Sequence, residues 1–221
     1  MREIILGGSA KIWQAIAKQP GIADRFRHVI GHKQLSSFAF MPQDRVWVLA
    51  YSRVPRENTA MLTALRQAGV KEVIYISSSS TIISSITNCY AYPRAKKLAE
   101  DEALALPNGK VLTLGLVVSH EDELPSGGNA ATTIQEIAKF LLTPIWASDH
   151  GKRAHLLRIV DKPFRNKSER ALYRLYGRLI QAAKSKPCLL RPLDLLLSTL
   201  QMRWYGYTYL SNQLWIKALS E

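Results

Sequence analysis

Short apolar runs rich in β-branched and aromatic residues alternate along this chain with stretches of helical periodicity, and that alternation constrains the fold more than any other feature. The runs are Glu3-Ile4-Ile5-Leu6, His28-Val29-Ile30, Arg45-Val46-Trp47-Val48-Leu49-Ala50, Val73-Ile74-Tyr75-Ile76 and Lys110-Val111-Leu112-Thr113. Val73 to Ile76 is apolar at consecutive positions, which predicts a strand buried on both faces. A helical stretch near Ile12 to Ala17 follows the first run. Asn58 to Ala68 has helical periodicity through Met61, Leu62 and Leu65, with Gly69 as its stop. Strands alternating with helices predict an α/β, doubly wound parallel sheet. Ligands of such sheets bind beyond the carboxyl ends of the strands. Gly7-Gly8-Ser9-Ala10 and Ser77-Ser78-Ser79-Ser80-Thr81 both fall at such ends.

Tyr92-Pro93-Arg94-Ala95-Lys96 follows the serine run. In a helix, Tyr92 and Lys96 are neighbours one turn apart. An ammonium beside a phenol favours the phenolate, so Lys96 is expected to lower the Tyr92 pKa. Ser79 can hold a substrate oxygen while Tyr92 gives or takes its proton. A bare Tyr-x-x-x-Lys is common by chance and also reads as two solvated helix residues. Its place after a buried strand that ends in hydroxyls is what gives it weight.

With these elements in this order, the chain resembles the extended short-chain dehydrogenases/reductases, in particular their nucleotide-sugar epimerase/dehydratase branch. The resemblance covers most of residues 1–120 and is looser from His155 to Leu200, where Ile159 to Pro163 and Lys186-Pro187 look like the family's substrate-domain tail. It implies a Rossmann-like domain, with Tyr92 as general acid/base, Ser79 orienting the substrate, and Lys96 binding the nicotinamide ribose and tuning Tyr92. It further implies a nicotinamide cofactor near Gly7, Gly8, Ala10, Lys11, His32, Lys33 and Ala50, and a nucleotide-sugar substrate. The family's Gly-x-x-Gly-x-x-Gly reads here Gly7, Ala10 and Trp13. An indole at the third position must push the helix off the sheet or swing outward. Lys11 pairs with a phosphate or is a solvated lysine. Where the family has Arg-Pro, this chain has Leu114-Gly115-Leu116. After Val29-Ile30 comes Gly31-His32-Lys33 with no acid, which favours NADP over NAD; the same pair also reads as a plain exposed loop.

The length of 221 residues allows one large core with an appended lobe, here divided as a dinucleotide-binding domain over 1–150 and a small, basic, mostly helical C-terminal lobe over 151–221. Cys89 and Cys188 lack metal spacing, as do His28, His32, His120, His150 and His155. With no signal-peptide pattern and no long apolar run, a cytoplasmic protein is expected. Residues 152–221 hold fourteen Lys or Arg against four Asp or Glu, and so carry +10 of the chain's +13. From Ser168-Glu169 a helix would space Arg170, Arg174 and Arg178 by four, with Leu172, Leu175, Tyr176 and Leu179 on other faces. Together with Trp204 to Tyr209 and Leu214-Trp215-Ile216, this suggests peripheral contact with the inner, anionic face of a membrane. No nucleic-acid motif is present. Leu193 to Leu200 is expected to complete the core. Ser119 to Asn129 reads as a mobile loop over the site and Ala130 to Leu142 as a helix.

Two functions follow from these readings. One is an NAD(P)-dependent reductase or epimerase/dehydratase acting on a nucleotide-linked sugar, in surface-polysaccharide synthesis. The other is a degenerate scaffold at the membrane surface. A homo-oligomer is compatible with either.

Overall fold

The computed structural model describes residues 2–52, 54–144, 146, 151–183, 186, 188–190, 192–193, 195 and 206–220. Its elements, in chain order, are β1 (Glu3–Leu6), α1 (Lys11–Ile16), α2 (Ile22–Arg25), β2 (His28–Ile30), β3 (Arg45–Val48) and α3 (Pro55–Gln67). Next come β4 (Glu72–Ser78), a 3-10 turn (Ser79–Ser85), α4 (Ala91–Ala105), β5 (Gly109–Leu114), β6 (Leu116–Val118), β7 (Gly127–Thr133) and α5 (Ile134–Leu142). The last are β8 (Arg153–Leu156), β9 (Arg158–Lys162), α6 (Lys167–Ala183) and α7 (Gly206–Ser220).

Six strands form the parallel sheet predicted from the alternation, in the order β2-β1-β3-β4-β5-β8. The pleat sends successive residues to opposite faces. Ile4, Leu6, Val46, Val48, Val73 and Tyr75 therefore meet Met61, Leu62 and Leu65 of α3 and Ala99 and Ala103 of α4. Ile5, Trp47, Ile74 and Ile76 meet Trp13, Ile16 and Ile22 on one side chain layer and Ile134, Ile137 and Leu141 of α5 on the next. Pro55 opens α3 at a position that needs no amide donor. Gly69, at φ +62°, takes the chain out of α3. Thr133 and Glu136 close a reciprocal cap on α5.

Trp13 does not swing outward. It is buried, edge-on to Phe26 at 5.8 Å between ring centroids. Helix α1, only six residues long, lies against α5. The amino end of the sheet is tied by Glu3, which accepts from Trp47 Nε1 at 2.7 Å and pairs with Arg25 at 3.0 Å and Arg45 at 3.1 Å. That end is built for stability. The carboxyl end is left to carry the site.

A second, three-stranded sheet, β6-β7-β9, corrects two expectations. Gly127 to Asn129 belongs to β7 and not to a mobile loop, and Ala130 to Thr133 is strand, so the helix starts only at Ile134. The reason is the small side chains in Gly-Gly-Asn-Ala-Ala-Thr-Thr. A Cβ on Gly128 would lie 2.6 Å from Ile216 Cδ1 of α7, so the strand packs closely under that helix. Strand β8 lies beyond residue 150 yet pairs with β5 in the main sheet.

Helix α7 lies across the Ser79–Ser85 turn and β7. Trp215 Nε1 donates to the Ser79 carbonyl at 2.9 Å. Asn212 Oδ1 accepts from the Ala130 amide at 3.1 Å, and its Nδ2 donates to Asn129 Oδ1 at 3.3 Å. Leu193 packs on the cluster formed by α6, α7 and the turn. Leu195, expected in the core, is instead 68% exposed. Residues 194 and 196–205, with Trp204 and Tyr205, lie outside the described residues, as does His150.

Candidate active site

Beyond the carboxyl ends of β3, β4 and β5, a cavity of about 380 Å³ opens, lined by Ser77 to Ser80, Tyr92, Lys96, Tyr51, Gly115, and Tyr207 and Thr208 of α7. The structure thus brings Ser79, Tyr92 and Lys96 to one wall. Tyr92 and Lys96 both sit on α4, one turn apart. The serines arrive there because β4 ends at Ser78 and the chain turns immediately, with the Ser80 amide donating to Ser78 Oγ at 3.3 Å.

The serine nearest Tyr92 is Ser78, not Ser79. The Ser78 hydroxyl is hydrogen-bonded with the Tyr92 phenol and lies 3.0 Å from Ser80 Oγ. Ser79 is anchored through its carbonyl to Trp215. Glu100, one turn beyond Lys96 and buried, accepts from Ser77 Oγ at 2.8 Å and from Thr81 Oγ1 at 3.2 Å, and pairs with Arg153. It clamps the serine turn from both flanks.

Lys96 is 7% exposed and donates from Nζ to the Ile76 carbonyl at 2.9 Å. Its ammonium sits 4.8 Å from the Tyr75 ring centroid and 5.2 Å from that of Tyr51, a favourable arrangement for a cation. Burial pushes its pKa down to about 8, and Glu100 partly offsets this. The Tyr92 hydroxyl goes the other way. Burial raises it and the Ser78 hydrogen bond opposes the rise, while Tyr207 and Tyr51 add to it. The direction is opposite to the lysine-driven lowering expected from the spacing, and the Lys96 ammonium is turned to the Ile76 carbonyl and the two rings.

The family resemblance implies a nicotinamide dinucleotide, and the residues present fit its two ends unequally. A buried ammonium has three donors, and among the described residues Ile76 O is the acceptor that takes one of them. Lys96 also lines the cavity, so the remainder suit ribose hydroxyls there. At the glycine turn the amides are already used: Gly7 N and Gly8 N both donate to Ile30 O, at 2.9 and 3.2 Å. Gly7 has φ +119°, and a Cβ there would lie 2.5 Å from the Ala50 amide nitrogen. This glycine, and the nearness of Ala50, are demanded by the chain itself. Ala10 starts α1 without a side-chain cap, and no acid follows in the first turn with Lys11. His32 and Lys33 are exposed in a single 3-10 turn just past β2, beside the Gly7–Gly8 turn.

Sequence reasoning did not single out Tyr51, Ser78, Tyr207 or Thr208 as site residues. Tyr51 and Ser78 each adjoin a residue that was named, and strand ends alone do not show which neighbour faces the cavity. Tyr207 was read as an interfacial aromatic, but it packs inward, 5.6 Å from Tyr90 and 6.1 Å from Tyr92. Tyr209 likewise packs on Tyr173 and Tyr176, and Trp215 on His155. Among the described residues no cluster of metal-binding side chains occurs.

A doubly wound α/β protein with a Tyr-x-x-x-Lys helix facing the strand ends is thereby defined. No family model matches the sequence, and no curated protein does. Solved structures do match. One is a short-chain dehydrogenase/reductase superfamily protein from Agrobacterium tumefaciens with bound NAD, 13% identical at TM-score 0.53 over 81% of this chain and 83% of that one. Vestitone reductase from alfalfa is 16% identical at TM-score 0.52, covering 72% and 78%. UDP-glucose 4-epimerase from Thermotoga maritima, solved with UDP-glucose, is 13% identical at TM-score 0.50, covering 79% and 81%. The fold of this chain is the one the short-chain dehydrogenases/reductases share.

Proposed function

We propose that the protein is an NAD(P)-dependent oxidoreductase of the reductase or epimerase/dehydratase kind, acting on a nucleotide-linked sugar in surface-polysaccharide synthesis. The observation that carries the reaction type is the meeting of Tyr92, Lys96, Ser78 and Ser79 on one cavity at the strand ends, with the Ser78 hydroxyl bonded to the Tyr92 phenol. The nucleotide-sugar substrate draws support from the likeness to the Thermotoga epimerase.

The cofactor would supply or accept a hydride at the substrate carbon. The chain's own residues do the rest. In the reducing direction the serine hydroxyls hold the carbonyl oxygen, and Tyr92, kept protonated by its raised pKa, donates its proton as the oxygen gains charge. The resulting phenolate is stabilised by Ser78 and is reprotonated from solvent. In the oxidising direction the same phenol must first lose its proton, which burial disfavours. Lys96 would hold the ribose. His32 and Lys33 support NADP over NAD, with NADPH expected to bind more tightly than NADH in titration calorimetry; equal affinities would remove that preference.

The decisive measurement uses Tyr92→Phe. Turnover should be lost, while affinity for the dinucleotide stays within about threefold, because only a hydroxyl is deleted. Near-native turnover would refute the assignment. The second reading, a catalytically silent scaffold, is favoured by the Gly7 and Gly8 amides bonded to Ile30. Failure of both NADH and NADPH to bind would select it.

A further inference from the structure

Helix α6 presents two exposed faces that the proposed reaction does not use. Its buried side carries Tyr176, Gly177, Ile180 and Ala183, and Tyr176 packs edge-on to Tyr209 of α7 at 5.2 Å. Turned away from the core are Leu172, Leu175 and Leu179, exposed by 42, 53 and 46%. Spacings of three and four residues set them in one stripe. Arg170, Arg174 and Arg178, at four-residue intervals, form a second exposed stripe, which nears the leucines at Arg178, three residues from Leu175, and turns away from them toward Arg170. None of the three arginines pairs with an acid among the described residues, whereas Arg2, Arg25, Arg45, Arg153 and Arg158 all do. The helix's own acid, Glu169, accepts instead from Ser126 Oγ and the Arg165 amide.

We propose that this face of α6 docks on an anionic lipid surface. The leucine stripe would enter the boundary between headgroups and acyl chains, and the arginines would reach lipid phosphates from its flank. Charge decides the occupant. A second copy of this chain on the leucine stripe would bring two arginine rows together. Nucleic acid would satisfy the arginines but leave the leucines in water. An anionic amphipathic surface answers both stripes, and a lipid leaflet is such a surface; an acidic protein partner would instead leave anionic vesicles unbound. Of the aromatics first read as interfacial, those among the described residues, Tyr207, Tyr209 and Trp215, are packed inward and take no part. Among the described residues no helix is long and apolar enough to cross a membrane, so the contact is peripheral.

Sedimentation of the full chain with phosphatidylglycerol vesicles and with phosphatidylcholine vesicles, at about 25 mM and about 500 mM salt, tests this. The wild type should bind the anionic vesicles at low salt, bind them more weakly at high salt, and ignore the neutral ones. Replacing Arg170, Arg174 and Arg178 together with Gln should weaken binding about 100-fold, from about fivefold per basic residue. Replacing Leu172, Leu175 and Leu179 together with Ser should also weaken it, including at low salt. All six side chains are exposed, so far-ultraviolet circular dichroism and melting should match the wild type, and this checks that each variant folds. Three results would each overturn the proposal: no binding to anionic vesicles at low salt; unchanged binding in the arginine variant; or loss only in the arginine variant, which would mark diffuse charge attraction without docking. Concentration-dependent dimerisation abolished by the leucine variant would assign the stripe to a second copy instead. Neither NADPH binding nor turnover enters these readouts.

Discussion

Lys96 carries a charge in a place that disfavours it, and replacing it with Met should stabilise the fold. Burial lowers its pKa from the ordinary 10.5 to about 8. At ~1.36 kcal/mol per unit, keeping the ammonium charged at neutral pH costs roughly 3 kcal/mol. Met fills a similar volume without the charge, but the Ile76 carbonyl loses its donor, a loss of about 1 kcal/mol, and the cation's contacts with the Tyr75 and Tyr51 rings go as well, about 1 kcal/mol more. Lys96→Met should therefore gain about 1 kcal/mol at pH 7, read as a higher urea midpoint with an unchanged slope. The sign of the pH dependence follows from the direction of the shift. The folded-state pKa is below the unfolded one, so between about 8 and 10.5 the unfolded chain binds the extra proton and wild-type stability rises with pH relative to the variant. The gap should narrow across that window. Tyrosines titrating there are common to both chains and cancel. A midpoint that is unchanged or lowered at pH 7 would show that water in the cavity already solvates the ammonium. A gap still open above pH 10.5 would show that the stabilisation has another origin.

Gly7→Ala should be among the most damaging single substitutions: a non-glycine residue at φ +119° costs about 1–3 kcal/mol and its Cβ would strike the Ala50 backbone, so thermal melting should fall well below that of Gly8→Ala, whose clash is with the flexible end of Val29. Glu100→Gln removes the negative partner of Arg153 and the one acid that supports the Lys96 charge. The Lys96 pKa, followed by its side-chain carbon shifts in NMR, should drop below about 8, and stability should fall by about 1–3 kcal/mol; an unmoved Lys96 titration would separate Glu100 from the site.

The sheet was legible because strands buried on both faces leave continuous apolar runs, and Ile4 to Leu6 and Val73 to Ile76 are such runs. Helix α3 was legible through Met61, Leu62, Leu65 and the Gly69 stop. Strand β7 was not, because what makes Gly127 to Thr133 a strand is the close cover of Ile216 and Tyr173, contacts from partners 40 or more residues away. The same blindness to distant partners misplaced Tyr207 and Tyr209, whose aromatic character suits an interface and a core equally. Leu195 failed in the opposite sense: an apolar run with no visible partner was assigned to the core, and the chain leaves that side chain outside. At the site, residue type and one-turn spacing brought out Tyr92 and Lys96. Which of two adjacent serines turns toward the phenol depends on where β4 ends and the 3-10 turn begins, and no spacing rule reaches that detail.

The two halves of the expected cofactor groove differ in what holds them. At the glycine turn every feature has an internal explanation: Gly7 makes room for Ala50, Gly8 for Val29, both amides satisfy Ile30, and Trp13 fills the layer beneath α1. Those residues would be required in a protein that binds nothing. At the α4 end the reverse holds. Folding alone would be better served by an apolar side chain than by the charged Lys96. Groups held in a state that stability disfavours are where a ligand has something to relieve. Ribose hydroxyls beside Lys96 would supply the acceptors its ammonium lacks, and a substrate oxygen beside Tyr92 would give its proton a destination. The cavity wall at α4, and not the glycine turn, is thus where the proposed reaction is open to test.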